Sequence, residues 1–329
     1  MEDFGVISHV YDDRILSELN LFMHNSDFLW SDENLMDYIA KQLTHRDEEQ
    51  LLVKENGLLV GCNLFMSSYA SIRQKIESVK WSHSTLLKSE YRKKYGLNLV
   101  LRSYELKNVF GFGLTDINIK IHKRLGSKFF YPSLAYLMKI DLSKKTKTIL
   151  SENKFEIGPL SFKRIHASDE INYPQYGIWN GKQLNVDFVR DKDFIQKRFF
   201  SSPYQYCLYA MTTPFSHDRL YFVTRIRTIN KERCLFLVDY RYSLEDHEAF
   251  GLILSALEMI AKHENIERCF FFSSIKFSMD STGKAIERYG ESCAIVTNIK
   301  DISDDYIFVT PADSDSELIP FDKDEKNSE

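Results

Sequence analysis

The feature that most constrains the fold of this 329-residue chain is an order of strands and helices that occurs twice. In the first half, apolar runs at 51–54 and from Leu58 onward are separated by Glu55-Asn56-Gly57. Asn-Gly between two apolar runs is typical of a tight β-hairpin, because both residues tolerate positive φ. The other predicted elements are helices over 14–23 and 34–43, a strand over 78–88, a helix over 89–106, a strand over 109–112, a helix from the cap Thr115 to Gly126, and a strand over 129–141.

The second half of the chain repeats this order without repeating the amino acids. Apolar residues at helical spacing predict a long helix over 245–263. The remaining predictions are strands over 206–212, 220–227 and 234–240 before that helix, then a strand over 269–274, a helix ending near Gly290, and strands over 293–297 and 306–310.

This repeated order predicts an α/β fold of two tandem units, each a mixed, mostly antiparallel sheet flanked by helices. The length also favours two domains, at roughly 100–200 residues per domain. The predicted division is an N-terminal unit over 1–142, a linker over 143–170, a C-terminal unit over 171–320 and a disordered tail over 321–329. The linker is rich in Lys, Ser and Thr, and the tail is charged.

Composition and charge exclude several classes of function. A net charge of −4 and a pI near 6.2 provide no basic surface for nucleic acid or an anionic membrane. No segment approaches the ~18 uninterrupted apolar residues that a membrane span needs, and the N-terminus has no signal-peptide core, so a cytoplasmic protein is expected. The five cysteines form no CxxC and no HExxH occurs, so no metal site is predicted.

The most informative segment for chemistry is EYRKKYGLN at 90–98, where a predicted strand ends and a helix begins. The amides and dipole of a helix N-terminus attract anions, and Arg92, Lys93 and Lys94 add positive charge there. Because cations at a helix N-terminus oppose the dipole, the cluster favours a bound phosphate. A basic, solvated first turn without a ligand is the alternative.

This segment resembles the acyl-CoA-binding motif of the GNAT acetyltransferase superfamily, which reads Arg or Gln, two residues, Gly, one residue, then Gly or Ala. Arg92 takes the first position, whereas Tyr95 and Leu97 stand where the family has small residues; Gly96 lies one residue away. The resemblance implies that an acyl-CoA pyrophosphate binds here and that the preceding strand pairs with the pantetheine arm. The implied cofactor-binding residues are Leu86, Leu87, Arg92, Lys93, Lys94, Tyr95, Gly96, Leu97, Asn98 and Thr115.

The segment TDINIKIHKRLGSKFF at 115–130 resembles a second GNAT segment, a capped helix with a tyrosine four residues before a glycine. Thr115 takes the capping position, His122 the tyrosine position and Gly126 the glycine position. The resemblance implies that His122 protonates the departing CoA thiolate, for which a reference pKa near 6.5 is suitable. A histidine that only packs against the helix surface is the alternative.

His83 lies on the strand that leads into the phosphate motif. The two-residue period of a strand places it on the same face as Trp81, Thr85 and Leu87. GNAT enzymes often take a general base from this strand, so the resemblance implies that His83 helps to deprotonate the attacking amine. A half-buried histidine bonded to a neighbour is the alternative.

The second half lacks the phosphate motif, and its third strand ends in an acidic turn. It resembles the degenerate second unit of tandem GNAT proteins of bacterial surface-polysaccharide loci, through DFIQKRFFSSPYQYCLY and FVTPADSDSEL. In such proteins the second unit helps to shape the acceptor pocket. The implied substrate-binding residues are Trp81, Arg198, Tyr206, Arg225, Asp313 and Asp315.

The leading interpretation is an acyl-CoA-dependent N-acyltransferase, with acetyl-CoA or another acyl-CoA as cosubstrate. The acceptor would be the amine of an amino sugar or sugar nucleotide, which attacks the thioester directly. Two alternatives stay open: a non-catalytic GNAT-fold protein whose CoA site is spoiled by Tyr95 and Leu97, and an aminoacyl transferase of the peptidoglycan type. The acceptor, the acyl length and any oligomeric state are not decided by the sequence.

Overall fold

The structure, a computed structural model, describes residues 5–24, 33–112, 114–143, 154–157, 160–168, 178–179, 182–183, 186–211, 221–229, 231–241, 249–273, 284–288, 293–299, 302 and 307–313. The α-helices in these ranges are α1 (Asp13–His24), α2 (Glu33–Gln42), α3 (Arg92–Glu105), α4 (Asp116–Leu125), α5 (Lys192–Ile195) and α6 (Ala249–His263). The strands of the first half are β1 (Gly5–Val10), β2 (Glu49–Glu55), β3 (Leu58–Ile72), β4 (Lys75–Leu87), β5 (Val109–Phe112) and β6 (Lys128–Lys139). The later strands are β7 (Lys154–Ile157), β8 (Leu160–Ile165), β9 (Ile178–Trp179), β10 (Lys182–Gln183), β11 (Val186–Phe188), β12 (Cys207–Met211), β13 (Tyr221–Ile229), β14 (Glu232–Arg241), β15 (Arg268–Ser273), β16 (Ile286–Arg288), β17 (Cys293–Thr297) and β18 (Ile307–Phe308).

The predicted fold class is confirmed: two mixed, mostly antiparallel sheets are flanked by helices. The first sheet has the order β1-β2-β3-β4-β5-β17-β6, and along this order only β4 and β5 are parallel. At its margin β11 pairs with β3 in antiparallel and with β18 in parallel orientation. Alternation along β2 separates the two faces of this sheet. Leu52 packs in the core under α1 and α2, whereas Leu51 and Val53 pack against α3 on the opposite face.

The second sheet continues from β6 in the order β15-β14-β13-β12-β8-β7. Its core is covered by α6, which buries Phe250, Ile253, Leu254 and Leu257 as its apolar spacing predicts. The segment predicted as a linker contributes β7 and β8, which form the edge of this sheet with Phe162 and Ile165 buried. The proposed domain boundaries stay a prediction.

The strand order does not follow the two halves of the chain. The first part of β6 pairs with β17, and its second part, from Leu134, pairs with β15. β17 comes from the second half but lies between β5 and β6 in the first sheet. One long strand and one exchanged strand therefore join the two sheets.

The predicted helix ending near Gly290 is wrong over 286–288, where the chain forms β16 and pairs with β6. Three residues carry too little periodicity to separate a strand from a helix, and pairing with a neighbouring strand decides. Gly290 itself lies outside the described residues. Within the described ranges, no helix is long and apolar enough to cross a membrane.

Candidate functional site

The site begins with a β-bulge in β4. Leu64 pairs with Ser84 and its neighbour Phe65 pairs with Ser82, so His83 is the extra residue that has no partner position on β3. A bulge of this kind bends the strand and redirects the side chains that follow it.

The bulge changes which side chains of β4 share a face. The hydroxyls of Ser82 and Thr85 both donate to Asn63 Oδ1, at 2.7 and 3.0 Å, although they are three residues apart. Trp81 packs instead in the core on the opposite face. The prediction that Trp81 and Thr85 share a face is wrong, because the two-residue period fails across a bulge.

Beyond the bulge, β4 separates from β5. The parallel pairing of these strands ends at Ser82 and Gly111, while β4 continues along β3 as far as Leu87. Within the described residues, the edge of 83–87 that faces β5 has no strand partner. A cavity of about 30 Å³ lies at the apex of this split, lined by Ser82, Thr85, Val100, Tyr104, Gly111, Leu114, Asn118, His122 and Val296.

Local signals at both ends of α4 hold His122 at this cavity. Thr115 Oγ1 accepts the amide of Asn118 at 3.4 Å, as expected of an N-cap. Gly126 has φ of 76° and closes the C-terminus, with the Ser127 amide donating to the His122 carbonyl at 3.0 Å. The predictions of Thr115 as cap and Gly126 as stop are confirmed.

The His122 ring is half-buried, and its Nδ1 lies 3.0 Å from Ser127 Oγ. Burial lowers the pKa of His122 below its usual value, since a charged ring loses its hydration there. The ring is therefore mostly neutral at pH 7 and able to accept a proton.

His83 has a different environment. Its side chain is buried, with Nδ1 3.1 Å from Ser84 Oγ, and burial lowers its pKa to about 3. Its side chain lines neither this cavity nor the larger one described below. The structure brings His122 to the cavity but not His83.

The N-terminus of α3 lies at the open end of the split. Arg92 Nε donates to the carbonyl oxygen of Leu87, the last residue of β4, at 3.2 Å. Helical spacing puts Lys93 and the exposed Leu97 on the side of α3 that carries the cavity residues Val100 and Tyr104. This stripe of α3 connects the basic first turn to the cavity.

A carboxylate from the chain itself already lies at this helix end. Lys94 Nζ is 2.8 Å from Glu55 Oε1, and the buried Tyr95 donates its hydroxyl to the same carboxylate. Hydrogen bonds from Lys94 and Tyr95 lower the pKa of Glu55. Glu55 thus neutralises the charge of Lys94, so that cation does not by itself indicate a bound phosphate. Arg92 and Lys93 have no carboxylate partner among the described residues.

A larger cavity, of about 340 Å³, lies on the other face of the first sheet. Its walls come from the segment 41–46, from β3 and from residues 189–198 and 312–313. Trp81, Arg198 and Asp313, three of the residues predicted for substrate binding, line it together. Arg198 Nε donates to the Ala312 carbonyl at 3.0 Å, which ties α5 and its π-helical extension to the segment after β18.

The other residues predicted for substrate binding lie elsewhere. Arg225 stacks on the Tyr204 ring, 3.8 Å from the ring centroid, and does not line either cavity. Tyr206 lines neither cavity, and its hydroxyl lies 3.5 Å from Nη1 of Arg198. Asp315 is outside the described residues.

Comparison with solved structures shows what this fold resembles. A GCN5-related N-acetyltransferase from Anabaena variabilis has a TM-score of 0.58 at 8% identity, over 88% of this chain and 72% of the other. A probable N-acyltransferase from Enterococcus faecalis has a TM-score of 0.56 at 7% identity, over 90% and 73%. Saccharomyces cerevisiae N-myristoyltransferase with bound myristoyl-CoA has a TM-score of 0.55 at 10% identity, over 93% and 86%.

The chain has the GNAT fold. No protein-family model and no curated protein matches it by sequence. The likeness is thus one of architecture alone.

The sequence analysis did not single out Arg190 and Asp239, which form a buried polar cluster with the predicted Asp313 beside the larger cavity of this GNAT fold. Arg190 forms ion pairs with Asp239 at 3.0 Å and with Asp313 at 2.5 Å, and all three side chains are buried. Burial raises the pKa of Asp313. Burial acts on Asp239 in the same direction, but Arg190 and Arg241 outweigh it and hold its pKa low. A charged residue inside an apolar run, such as Asp239 in LFLVDY, is the signal that could have indicated this cluster.

Proposed function

We propose that this protein is an acyl-CoA-dependent N-acyltransferase that transfers an acetyl or other acyl group to the amine of an amino sugar or sugar nucleotide. The observation that carries the proposal is the split between β4 and β5, with the His122 cavity at its apex and the basic end of α3 at its opening.

The split suits an extended thioester arm. The five strand residues 83–87 span about 17 Å, and their edge towards β5 has no strand partner among the described residues. A pantetheine arm lying there pairs its amides with the edge, while its phosphates reach Arg92 and Lys93 and its acyl end reaches the cavity.

His122 is the group proposed to move the proton. The amine nitrogen attacks the thioester carbonyl carbon, the C–S bond breaks, and the sulfur leaves as a thiolate. The neutral ring accepts the proton that the amine loses and then gives it to the thiolate, so an amide and free coenzyme A result. Ser127, at 3.0 Å from Nδ1, orients the ring.

The larger cavity is the proposed acceptor site. Trp81 lines it, and the next residue, Ser82, lines the apex of the split, so the two cavities adjoin across β4. The amine reaches the thioester through the gap between β4 and β5 beyond Ser82. Its walls carry aromatic, cationic and anionic side chains, including Trp81, Arg198 and Asp313. Such walls suit a small polar molecule better than an apolar one.

Calorimetry with acetyl-CoA tests the donor site. Arg92→Glu should weaken binding at least tenfold, since a charge-assisted phosphate contact is worth about 1.5–3 kcal/mol. Arg102→Glu, at the other end of α3, is the matched control and should bind as the wild type does. Unchanged affinity of the Arg92 variant, or no binding to the wild type at millimolar ligand, would contradict the proposal.

The position of Glu55 favours a second candidate, a GNAT-fold protein that binds a ligand without catalysis. Its carboxylate already takes hydrogen bonds from Lys94 and Tyr95, two of the residues predicted to bind the cofactor, at the helix end proposed for the pyrophosphate. Incubation with acetyl-CoA and a panel of amino sugars, followed by mass spectrometry, separates the two. Binding without any acetylated product would favour this second candidate.

A further inference from the structure

We infer that the donor is restricted to a short acyl group of about two or three carbons, and that Val296 of the exchanged strand β17 sets this limit. The inference rests on the proposed function, because it takes the apex cavity to be the acyl site. Its starting observation is size. The apex cavity has a volume of about 30 Å³. It accommodates about two groups of the size of a water molecule, since each such group needs roughly 10–15 Å³ of cavity volume.

The wall of the cavity is already closed at Gly111. A Cβ added to this glycine would lie 3.2 Å from Val296 Cγ1 and 4.0 Å from Leu114 Cδ2. Contacts near 3.2 Å are tighter than ordinary packing, so no side chain can be added here without displacing Val296. An acyl chain that extends past the apex meets the same two side chains.

Val296 is held in place from both sides. It is 3% exposed, and its backbone pairs with Gly111 of β5 and with Phe129 of β6. A central strand with two partners cannot move aside without breaking both ladders. The part of the limit that Val296 sets is thus built into the sheet, whereas Leu114 contributes from the connection between β5 and α4.

The fold by itself does not impose this limit. The yeast N-myristoyltransferase, which shares the fold, is described with bound myristoyl-CoA, a donor with a long acyl chain. The side chains at the apex are therefore what restrict the acyl group in this chain. Because β17 belongs to the second half, that half completes the donor site as well as the acceptor cavity.

Calorimetric titration of the full chain with coenzyme A, acetyl-CoA, butyryl-CoA and octanoyl-CoA tests the inference. Octanoyl-CoA should bind at least tenfold more weakly than acetyl-CoA. Val296→Ala should increase the affinity for butyryl-CoA by about fourfold for each methylene group that the enlarged cavity newly accommodates. Val223→Ala, which removes a buried valine from the second sheet, is the matched control and should keep the wild-type order.

A variant of opposite effect makes the test stricter. Gly111→Ala should weaken the binding of acetyl-CoA at least tenfold and leave the affinity for free coenzyme A unchanged, because only the acyl group reaches the apex. If Val296→Ala does not fold, Leu114→Ala opens the same cavity from the half-buried side.

The outcomes separate this inference from the proposed function. Equal affinity of the wild type for acetyl-CoA and octanoyl-CoA would overturn the inference alone. Absence of binding by free coenzyme A would overturn the proposed function, and the inference with it.

Discussion

The sequence-based prediction gives both His122 and His83 a role in proton transfer, yet their surroundings give them different chemistry. The His122 ring is half-buried at a cavity and bonded to Ser127. The His83 ring lies in the protein interior, where burial keeps it uncharged over the whole physiological range. A histidine needs both a suitable pKa and access to the reacting atoms to move a proton in catalysis.

Changing His122 to Phe should lower kcat by about 10²–10⁴-fold, because the ring is kept but proton transfer is lost. The Kd for acetyl-CoA, measured by calorimetry, should stay nearly unchanged. In the wild type, kcat should fall as the pH drops through the lowered pKa of His122, since a protonated ring cannot accept a proton. His263→Phe, at the exposed end of α6, serves as the control. A wild-type rate in the His122 variant would leave a site that works by positioning alone.

Replacing the buried His83 should change how stability depends on pH. The folded pKa is about 3 and the reference value is 6.5, so between these values only the unfolded ring binds a proton. The wild type should therefore lose about 1.4 kcal/mol of unfolding free energy per pH unit as the pH falls through this window. His83→Gln should remove that slope in urea titrations at pH 4–6, whereas His9→Gln, at an exposed position, should not. Parallel curves for wild type and His83→Gln would show that the ring titrates normally.

Among the elements, β3 and β4 pack beside the split in a way that leaves no room for a side chain at Gly61. An ideal Cβ on Gly61 would lie 2.4 Å from Leu87 Cδ1 and 2.8 Å from the Leu86 carbonyl oxygen. The second contact involves backbone, so it cannot be relieved by a rotamer change. A glycine at this position therefore lets β4 stay paired with β3 as far as Leu87.

Gly61→Ala should therefore reduce the free energy of unfolding by about 1–3 kcal/mol, measured by urea denaturation. Gly251→Ala is a matched control within α6, where nothing lies within 4 Å of the added Cβ. It should leave stability unchanged or raise it by about 0.5–1 kcal/mol, because alanine is the better helix former. Equal effects of the two substitutions would mean that β3 and β4 can separate at no cost.

On the scale of the whole molecule, two features join the sheets: the exchange of β17 and the sharing of β6. The buried cluster around Arg190 adds a third connection. Arg190 follows β11, which pairs with β3 of the first sheet, while Asp239 lies on β14 of the second. The Tyr221 and Thr310 hydroxyls donate to the same Asp239 carboxylate, at 2.8 and 2.6 Å.

Arg190→Met should lower the free energy of unfolding by about 3–5 kcal/mol, since it removes the cation that forms ion pairs with the buried Asp239 and Asp313. The exposed pair of Arg233 and Glu264 provides the comparison. Arg233→Met should cost less than about 1 kcal/mol, because water screens that pair. Chemical denaturation of both variants measures the difference. Similar losses in the two variants would indicate that the buried carboxylates take up protons at little cost.

The sequence by itself determined the features that depend on neighbours in the chain. Asn56 and Gly57 adopt positive φ in the predicted hairpin, and Thr115 and Gly126 bound α4 as predicted. The period of the apolar residues determined most strands, the long helix α6 and the fold class. The basic first turn of α3 at Arg92 was also evident from consecutive residues in the sequence.

Only the tertiary structure decided the bulge at His83, the partner strands of β17 and the ion pairs of Glu55 and Arg190. An apolar strand buries its side chains equally well in either sheet, so its own residues do not specify which neighbours it pairs with. A bulge shifts the register by one residue without changing composition, and it moved Thr85 away from the face of Trp81. Pairing between segments far apart in the chain is what created the split, and the split brought His122 to the cavity.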